Sequence, residues 1–557
     1  MISNKTQVQD LVQLLVMHDV KRVVISPGSR NAPISVSCIH HPKLDTYTVV
    51  DERAAGYVAL GMAQQSGNPV AIICTSGSAS INYGPAITEA YYQGIPLIAI
   101  TADRPKEFVN QGDGQTIMQS GLFGSHVKHE IELVDDFGQE DLIWFNQRQI
   151  NEALIASKSE TPGPIHVNVP LRENLYQFDN LSSHSTRFIE AVPRSSKLDS
   201  QSASVLQDEV ASTKKIMLVT GLLHPDPACT NLIDSILSGG KVVHLAESTS
   251  NRVTDSSITT IDRLIMSFNN GETDEFLPDL LITVGGNIVS KKIKALLRQH
   301  SGLKHWHIDE TGRILDTFQS LSRTISVDER AFLEWLDKQQ LTGEYGQLWN
   351  ERKQKNQLGH GAFVDQLPWS DFKAFDHITH ALPADSHVQM GNSSVVRYFQ
   401  LFDSRDDLAY FSNRGTSGID GSTSTAVGAA LESQVMTTLV TGDLSFSYDS
   451  NGLWHQYRPS NLRIIVINNG GGNIFKIIEG PSKTNAMAEA FEAPAAQDFS
   501  KLAAFHSIDH QKASNSNELA AGLEWLYTGS DIKILEVDTT QVENALRVKE
   551  YFQFLRN

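Results

Sequence analysis

Short apolar runs rich in β-branched residues alternate with helical patterns along nearly the whole of this chain. This alternation is typical of α/β units around parallel sheets, because each parallel strand needs a crossover before the next one. The strands are predicted in three groups: 22–26, 47–50, 70–74, 97–101 and 165–169; then 216–219, 241–245, 280–284 and 305–308; then 387–390, 409–411, 437–440, 464–467 and 534–537. Helices are predicted at 79–93 and at the N-terminus, where one face carries Val8, Leu11, Leu14 and Leu15.

A chain of 557 residues is too long for a single hydrophobic core, so about three domains are expected. Two polar stretches separate the groups of strands, a serine-rich one at 181–203 and a charged one around 343–361. The sequence therefore predicts an α/β protein with three doubly wound parallel-sheet domains in series, over residues 1–182, 183–355 and 356–557.

The formal net charge of −18 predicts a surface that repels nucleic acid and anionic membranes. The N-terminus lacks the pattern of a signal peptide, and no apolar run reaches the roughly 18 residues of a membrane span. The three cysteines, Cys38, Cys74 and Cys229, have no paired spacing and fit buried thiols in a reducing compartment. We therefore expect a cytoplasmic protein that binds neither nucleic acid nor membrane.

Polar residues follow two predicted strands of the last third. The strand at 437–440 runs into Thr-Gly-Asp443-Leu-Ser, and the strand at 464–467 runs into Asn-Asn469-Gly-Gly-Gly-Asn. The 26 residues from Asp443 to Asn469 correspond to one strand-helix-strand crossover. Both residues are therefore expected at the carboxyl ends of neighbouring parallel strands, where open α/β sheets bind ligands.

The residue types in these two loops suit a metal ion and a diphosphate. The Asp443 carboxylate, the Asn469 amide oxygen and the Gly471 carbonyl are hard oxygen ligands, as Mg²⁺ prefers when phosphate completes its shell. The glycines let the backbone approach a diphosphate closely, and Ser445 and Asn473 can donate hydrogen bonds to it. The alternative is a pair of tight turns in which Asp and Asn cap helices, and the matched strands favour the metal site.

With these two loops, the chain resembles the thiamine diphosphate enzyme superfamily over its full length. The usual motif there is Gly-Asp-Gly, whereas Leu444 stands third here, a change that leaves the proposed ligands in place. The resemblance implies bound thiamine diphosphate with Mg²⁺ or Mn²⁺, a first domain for the pyrimidine, a middle domain, and a last domain for the diphosphate. It also implies a homodimer or homotetramer, because such enzymes bind the coenzyme between the first domain of one subunit and the last domain of another.

Glu52 lies between a predicted strand and an Ala/Gly-rich helix. By itself such a glutamate is a helix N-terminal charge that the helix dipole stabilises. The resemblance implies a second role, since the matching glutamate hydrogen-bonds the aminopyrimidine of the coenzyme and promotes loss of the thiazolium C2 proton. Glu52 is therefore the predicted catalytic residue.

Four further blocks narrow the resemblance: Ile-Ser-Pro-Gly-Ser-Arg30-Asn-Ala-Pro, Thr-Ala-Asp-Arg104-Pro, Gly-Asn-Ser393 and Ser-Asn-Arg414-Gly-Thr-Ser-Gly-Ile-Asp-Gly. Together they resemble the 2-succinyl-5-enolpyruvyl-6-hydroxy-3-cyclohexene-1-carboxylate synthase family of menaquinone biosynthesis, although the Ala-Asp-Arg-Pro block is shared more widely. The implied activity is that of a transferase, which decarboxylates 2-oxoglutarate and adds the remaining fragment in conjugate fashion to isochorismate.

Both implied substrates are anions, and the planar guanidinium of arginine can hold a carboxylate through two hydrogen bonds. The residues that the resemblance assigns to the substrate site are Ser29, Arg30, Arg104, Gln115, Lys291, Lys292, Arg397 and Arg414. Those assigned to the coenzyme, besides Glu52, are Ser393, Gly415, Ile419, Gly442, Asp443, Leu444, Ser445, Asn469, Asn473, Ile474 and Phe475. The alternative for the two lysines is a solvated helix start, and the alternative for Ile419 is ordinary core packing.

Two other functions stay open at this point. One is another thiamine diphosphate enzyme, such as an acetolactate synthase-like carboligase or a 2-oxo acid decarboxylase, whose pyruvate-type chemistry needs fewer cations. The other is a non-catalytic nucleotide-binding protein, against which no Gly-x-Gly-x-x-Gly or P-loop motif follows a predicted strand.

Overall fold

The computed structural model describes residues 1–135, 137–159, 161–179, 185–192, 197–269, 271–477, 484, 488–492 and 497–556. The chain forms three parallel sheets, which we name the first, middle and last sheets, each with its surrounding helices as a unit. A short two-stranded antiparallel ribbon accompanies the first sheet. The predicted α/β class with parallel sheets is confirmed.

The first unit contains a six-stranded parallel sheet and the short antiparallel ribbon. Its strands are β1 (Ile2–Ser3), β2 (Arg22–Ile25), β3 (Asp45–Thr48), β4 (Val70–Cys74), β5 (Leu97–Asp103), β6 (His129–Glu132), β7 (Ile165–Pro170) and β8 (Phe178–Asp179). Its helices are α1 (Thr6–Met17), α2 (Ala32–Ile39), α3 (Glu52–Ser66), α4 (Ser78–Asn82), α5 (Gly84–Gln93) and α6 (Glu140–Ser157). The sheet order is β3-β2-β4-β5-β7-β6, and β1 pairs with β8.

The middle unit is a five-stranded sheet with helices on both faces. Its strands are β9 (Ile216–Thr220), β10 (Val242–Ala246), β11 (Leu280–Val284), β12 (Lys304–Ile308) and β13 (Leu321–Ile325), in the order β10-β9-β11-β12-β13. Its helices are α7 (Ser200–Ser212), α8 (Pro227–Leu237), α9 (Ile261–Met266), α10 (Thr273–Phe276), α11 (Lys291–Arg298) and α12 (Glu329–Asp337). A long helix, α13 (Tyr345–Gln366), then leads to the last unit.

The last unit repeats the doubly wound pattern with six strands. Its strands are β14 (Ser386–Met390), β15 (Leu408–Phe411), β16 (Thr437–Gly442), β17 (Leu462–Asn468), β18 (Asp509–Ala513) and β19 (Lys533–Asp538), in the order β15-β14-β16-β17-β19-β18. Its helices are α14 (Asp371–Ala381), α15 (Ser394–Phe399), α16 (Ser422–Glu432), α17 (Asp443–Tyr448), α18 (Ile474–Ile477), α19 (Phe499–Phe505), α20 (Ser516–Leu526) and α21 (Asn544–Arg556).

Sequence pattern found the central strands and missed three at the edges of the sheets. β4 and β11, for example, are buried along their whole length and have the predicted bounds. The missed strands β6, β13 and β18 are mostly polar and only partly buried. An edge strand has few buried positions, so it lacks the continuous apolar run that identifies a central parallel strand.

The helix predicted at 79–93 is two helices, α4 and α5. Pro85 stands at the beginning of α5. Because proline lacks an amide hydrogen and disfavours helical geometry in the residue before it, a helix cannot run smoothly through this position. The N-terminal helix, by contrast, is confirmed as α1, with all four predicted apolar residues buried.

Neither predicted domain boundary is settled by these elements. The boundary at residue 182 lies outside the described residues. The described stretch after this boundary still packs against the first unit, since Thr186 Oγ1 donates to Asp10 Oδ1 at 2.7 Å. The boundary at residue 355 falls within α13, which contacts both β10 and α21. Both boundaries therefore remain proposals.

The first and last units share a hydrophobic core, in which α3 of the first unit packs directly on α16 of the last. A Cβ at Gly61 of α3 would lie 2.0 Å from the Thr425 carbonyl oxygen, and one at Gly428 of α16 would lie 1.9 Å from that of Val58. Two glycines thus let the helix backbones touch. This contact fixes Glu52, the first residue of α3, relative to the last sheet. Among the described helices, none is both long and apolar enough to cross a bilayer.

Candidate active site

The Asp443 and Asn469 loops meet at the carboxyl edge of the last sheet. β16 and β17 are paired neighbours, with Gly442 opposite Ile467, so both residues directly follow the ends of adjacent strands. The two loops are also bonded to each other, because the Gly471 amide donates to Asp443 Oδ2 at 2.8 Å. Sequence reasoning placed these loops together, and the structure brings them together.

The donor set in these loops fits a hard divalent cation. Asn469 Nδ2 donates to Asp371 Oδ2 at 2.8 Å, so the opposite end of the amide, its oxygen, is left for another partner. Burial raises the pKa of the Asp443 carboxyl, and a cation nearby would reverse that effect by stabilising the carboxylate. Within the described residues, no group of three or more His, Cys, Asp or Glu side chains is arranged so that it could hold a metal ion. The candidate ligands are instead one carboxylate, one amide and one backbone carbonyl, the mixed oxygen set that suits Mg²⁺.

The glycine run gives this loop a backbone that other residues rarely adopt. Gly470, Gly471 and Gly472 have φ values of 83°, 81° and 55°. Three successive left-handed residues are accessible to glycine without strain and turn the chain sharply. Asn473 Nδ2 closes the turn by donating to the Asn469 carbonyl at 2.7 Å. The loop is therefore preformed around the predicted diphosphate position.

The remaining candidate coenzyme residues surround the same edge. Ser445 Oγ donates to the Ile419 carbonyl at 2.6 Å, which joins α17 to the loop before α16. Ile419 is 39 % exposed in this chain, which does not fit ordinary core packing. The others line the neighbouring loops: Ser393 before α15, Gly415 after β15, Gly442 and Leu444 beside Asp443, and Ile474 and Phe475 at the start of α18.

Glu52 begins α3, at the carboxyl edge of the first sheet. Its neighbour Asp51 caps the helix by accepting from the Arg53 and Ala54 amides at 2.9 and 3.2 Å. Glu52 is half-buried, and this burial raises the pKa of its carboxyl, with the charge of Asp51 acting in the same direction. Arg53 stacks over the Tyr448 ring at 4.5 Å. Arg53, the residue next to Glu52, thus contacts the carboxyl end of α17, whereas Asp443 of the same chain lies at the amino end of that helix.

Two candidate substrate arginines lie together beside the last sheet. Burial lowers the pKa of both Arg397 and Arg414, and the charge of Arg397 lowers that of Arg414 further. Arg414 is 8 % exposed, and its Nη1 donates to Asn392 Oδ1 at 2.9 Å. Among the described residues neither guanidinium has a carboxylate within 4.0 Å, although Asp262 acts on Arg397 and Glu247 and Glu89 act on Arg414 from farther away. Arg414 Nε is buried without a hydrogen-bond partner. The pair therefore has unused capacity to bind an anion.

The middle unit reaches this arginine pair through the loop before α11. Asn287 Nδ2 donates to the carbonyls of Arg414 and Gly415 at 2.8 and 3.1 Å. Lys291 and Lys292, the exposed first residues of α11, come from the same segment. Asp262 lies close enough to Lys292 and Arg397 for their charges to lower its pKa, although burial raises it overall. Four of the eight candidate substrate residues are thus gathered around one edge.

The other four candidates gather at the carboxyl edge of the first sheet. Ser29 and Arg30 follow β2, Arg104 follows β5, and Gln115 packs on the loop after β4, where a Cβ at Gly77 would lie 3.2 Å from its Cα. Arg30 pairs with Glu173 at 3.0 Å and Arg104 with Asp113 at 3.8 Å. In the described parts of this chain, no hydrogen bond or ion pair joins this group to the group around Arg414.

Sequence reasoning missed three buried carboxylates that hold the site together. Glu89 of α5, 1 % exposed, accepts from the Gly415 and Thr416 amides at 2.6 and 2.7 Å and so fixes the loop that carries Arg414. Glu247 accepts from the amides of Val289 and Ser290 at 2.6 Å each, and burial raises its pKa to about 7. Burial also raises the pKa of Asp371 to about 6. In the sequence, the signal for such a buried carboxylate is an acidic residue on the apolar face of a helix, as for Glu89 beside Ala86 and Ala90.

Two family models match the chain at the two units that form these edges. One is described as "Thiamine pyrophosphate enzyme, N-terminal TPP binding domain" and matches residues 5–122. The other is described as "Thiamine pyrophosphate enzyme, C-terminal TPP binding domain" and matches residues 389–537. The fold, the paired loops and these matches define a thiamine pyrophosphate enzyme.

Curated relatives narrow this class. A protein of Flavobacterium psychrophilum is 39 % identical over 549 residues, which cover 98 % of each chain, and one of Porphyromonas gingivalis is 37 % identical over 565 residues, 99 % of this chain and 98 % of the relative. One of Bacteroides fragilis is 36 % identical over the full length of both chains. All three are named 2-succinyl-5-enolpyruvyl-6-hydroxy-3-cyclohexene-1-carboxylate synthase. The chain belongs to this family of thiamine pyrophosphate-dependent transferases.

Proposed function

We propose that the protein decarboxylates 2-oxoglutarate and adds the remaining fragment to isochorismate, which gives 2-succinyl-5-enolpyruvyl-6-hydroxy-3-cyclohexene-1-carboxylate and CO₂ in menaquinone biosynthesis. The observation that carries this choice of substrates is the pair Arg397 and Arg414. Both guanidiniums are largely buried beside the coenzyme loops, and no carboxylate of the described chain lies within 4.0 Å of either, while Asp262, Glu247 and Glu89 act on them only from farther away. A buried charge is costly unless an anion satisfies it, and each proposed substrate brings two carboxylates.

The coenzyme and metal would be held at the carboxyl edge of the last sheet. Asp443, Asn469 and the Gly471 carbonyl would bind Mg²⁺ or Mn²⁺, and Ser445 and Asn473 would flank the diphosphate. When bound, thiamine diphosphate supplies the electron sink for decarboxylation. Glu52 would hold the aminopyrimidine by a hydrogen bond and exchange a proton with it. Burial raises the pKa of the Glu52 carboxyl, which favours the protonated form that can donate to a ring nitrogen.

The candidate substrate residues would act as two groups. Arg397, Arg414, Lys291 and Lys292 supply positive charge from the last and middle units. The second group, Ser29, Arg30, Arg104 and Gln115, supplies further polar contacts from the first unit. The apolar side chains of Ile474 and Phe475 would exclude water beside the reacting atoms.

We propose that the two groups meet across an interface between two copies of the chain, in a homodimer or homotetramer. Within one chain the first group lies at one sheet edge and the second at another, without a bond between them among the described residues. The residues beside Glu52 contact the end of α17 away from Asp443 and the turn after it: Arg53 donates to the Tyr448 carbonyl, and Asp51 accepts from Asn451. A second copy would complete the site if the carboxyl edge of its first sheet lay against the carboxyl edge of the last sheet in this chain.

A cytoplasmic location is proposed from the thiols. Cys38, Cys74 and Cys229 are all free and buried. Burial raises the pKa of the Cys38 and Cys229 thiols to about 12, so both stay protonated and unreactive. Buried, unpaired thiols are typical of proteins kept in a reducing compartment.

The test is the loss of isochorismate absorbance with purified protein, Mg²⁺, thiamine diphosphate and 2-oxoglutarate, omitting each in turn. Loss that requires every component supports the proposal. CO₂ release from 2-oxoglutarate without loss of isochorismate would keep the donor and refute the acceptor. If neither occurs, the proposed substrates are wrong, and the remaining 2-oxo acids become the substrates to test.

A further inference from the structure

Asn469 is a useful metal ligand only in one of its two amide orientations. The amide has an oxygen at one end, which can bind a cation, and an NH₂ group at the other, which cannot. In this structure the NH₂ group is directed to Asp371, the first residue of α14, which is fully buried. The orientation of Asn469 is therefore set by a residue that precedes it by 98 positions.

A directed chain of hydrogen bonds fixes that orientation. The Asp371 amide, which can only donate, donates to Asn544 Oδ1 at 2.7 Å. The other end of Asn544, its Nδ2, must then donate, and it does so to Thr539 Oγ1 at 3.2 Å. The Thr539 hydroxyl, already an acceptor, donates to Asp371 Oδ1 at 2.5 Å. Asp371 Oδ2 is left to accept from Asn469 Nδ2 at 2.8 Å, so each bond determines the direction of the next.

We propose that Asp371 is a positioning residue that turns the oxygen of Asn469 toward the metal bound by Asp443. This inference rests on the proposed metal site and deepens it. A carboxylate is suited to the task because it accepts at both oxygens, from Thr539 on one side and from Asn469 on the other. Partners outside the ligand sphere orient metal ligands in this way, and their loss weakens metal affinity by about 10- to 100-fold.

The fixed direction of these hydrogen bonds predicts an unusual order of effects among substitutions of Asp371. In Asp371→Asn the Thr539 hydroxyl still donates, so the new amide turns its oxygen to Thr539 and its NH₂ group to Asn469. Asn469 must then accept with its oxygen, which turns its own NH₂ group toward the metal. In Asp371→Ala nothing holds Asn469, and an unrestrained amide is competent for between about a half and a tenth of the time, a loss of only about twofold to tenfold. The isosteric change should therefore be more damaging than the truncation.

The experiment titrates the full-length protein with Mn²⁺ in the presence of thiamine diphosphate and follows free Mn²⁺ by electron paramagnetic resonance. Expected losses of affinity are about 10- to 100-fold for Asp371→Asn and about two- to tenfold for Asp371→Ala. In the double variant Asp371→Asn, Thr539→Val, no hydroxyl at position 539 fixes the orientation of the new amide at position 371. The affinity for Mn²⁺ should therefore recover to the level of Asp371→Ala. Asp376→Asn, which removes a carboxylate paired with Lys373 on the same helix, is the matched control and should bind as the parent protein does.

Reference variants separate the failure of this inference from failure of the site. If Asp443→Ala binds Mn²⁺ as tightly as the parent protein, the proposed metal site itself is wrong. If Asp443→Ala loses Mn²⁺ but Asp371→Asn keeps it, the positioning role is refuted. A merely structural role would make the truncation the worse variant in both Mn²⁺ affinity and melting temperature of the metal-free protein, and that result would also overturn the proposal.

Discussion

The carboxyl edges of the first and last sheets both carry arginines, but they hold them in opposite ways. At the first sheet, Arg30 and Arg104 have carboxylate partners in their own unit, Glu173 at 3.0 Å and Asp113 at 3.8 Å. At the last sheet, Arg397 and Arg414 are held by neutral groups, Arg414 through Asn392 at 2.9 Å. An incoming anion must displace a carboxylate at the first edge and meets unpaired charge at the last. The last edge is thus prepared for anions, and the first edge contributes the titratable Glu52.

The largest expected effect concerns Glu52 at the first edge. Glu52→Gln should lower kcat by about 10²–10⁴-fold, the usual contribution of a positioned acid or base. Coenzyme affinity and melting temperature should stay near those of the parent protein, because glutamine keeps the shape of the side chain. Steady-state kinetics and calorimetric titration with thiamine diphosphate measure the two. Near-normal turnover would remove Glu52 from the chemistry and leave the first edge without its proposed role.

The second effect compares the two edges directly. Arg414→Ala should cost about 2–4 kcal/mol of transition-state stabilisation, roughly 30- to 1000-fold in kcat/KM, because a desolvated charge-assisted contact is lost. Arg30→Ala should cost less, since Glu173 already neutralises that guanidinium. The measurement is kcat/KM for each proposed substrate, with melting temperatures as the folding control. Equal losses would show that prior pairing with a carboxylate does not distinguish the edges.

The third effect tests how the first unit supports the last edge. Glu89→Gln replaces one carboxylate oxygen by an NH₂ group that cannot accept from the Thr416 amide. The loop that carries Arg414 should shift, and kcat/KM should fall by about five- to fiftyfold. Thr88→Val is the matched control, because it changes the neighbouring residue of α5, whose hydroxyl donates to the Gly84 carbonyl within the helix, and leaves the bonds of Glu89 to the loop in place. If both variants lose activity equally, Glu89 has no special role in placing Arg414.

The smallest effect is a pH dependence at the contact of the two units. Asp449 is buried and accepts from the Ser424 amide and hydroxyl, and burial raises its pKa to about 7. The folded protein therefore keeps a proton on Asp449 at pH values where the unfolded chain has lost it. The stability that this contributes is complete below the ordinary pKa and is lost as pH rises through about 7.

Asp449→Asn should remove this share of the pH dependence. Between pH 5.5 and pH 8, the melting temperature of the coenzyme-free variant should fall by a few degrees less than that of the parent protein. Glu247→Gln, in the middle unit, offers an independent case, because burial also raises the pKa of Glu247 to about 7. Identical pH profiles for parent and Asp449→Asn would show that the carboxyl titrates without cost to the fold.

The candidate site could be predicted from sequence only where its residues lie in one loop or follow one strand. Asp443 and Asn469 were found because a strand pattern, a polar residue and glycines stand together in the sequence. The separation of the substrate residues into two groups was not predicted, because no local pattern records which sheet edges face each other. The tertiary contacts that define the two groups are the bond of Asn287 to the Arg414 loop and the pairing of Arg30 with Glu173.

By itself, the sequence determined the elements that depend on local periodicity. Strands buried on both faces are continuously apolar, so 70–74 and 280–284 were found with their observed bounds. Tertiary structure alone decided the polar edge strands such as β18 and the buried carboxylates that join distant segments. Glu89 lies 326 residues from Gly415, and Asp371 lies 98 residues from Asn469. A buried carboxylate is stabilised by the donors that surround it, and those donors are set by the folded chain rather than by its neighbours in sequence.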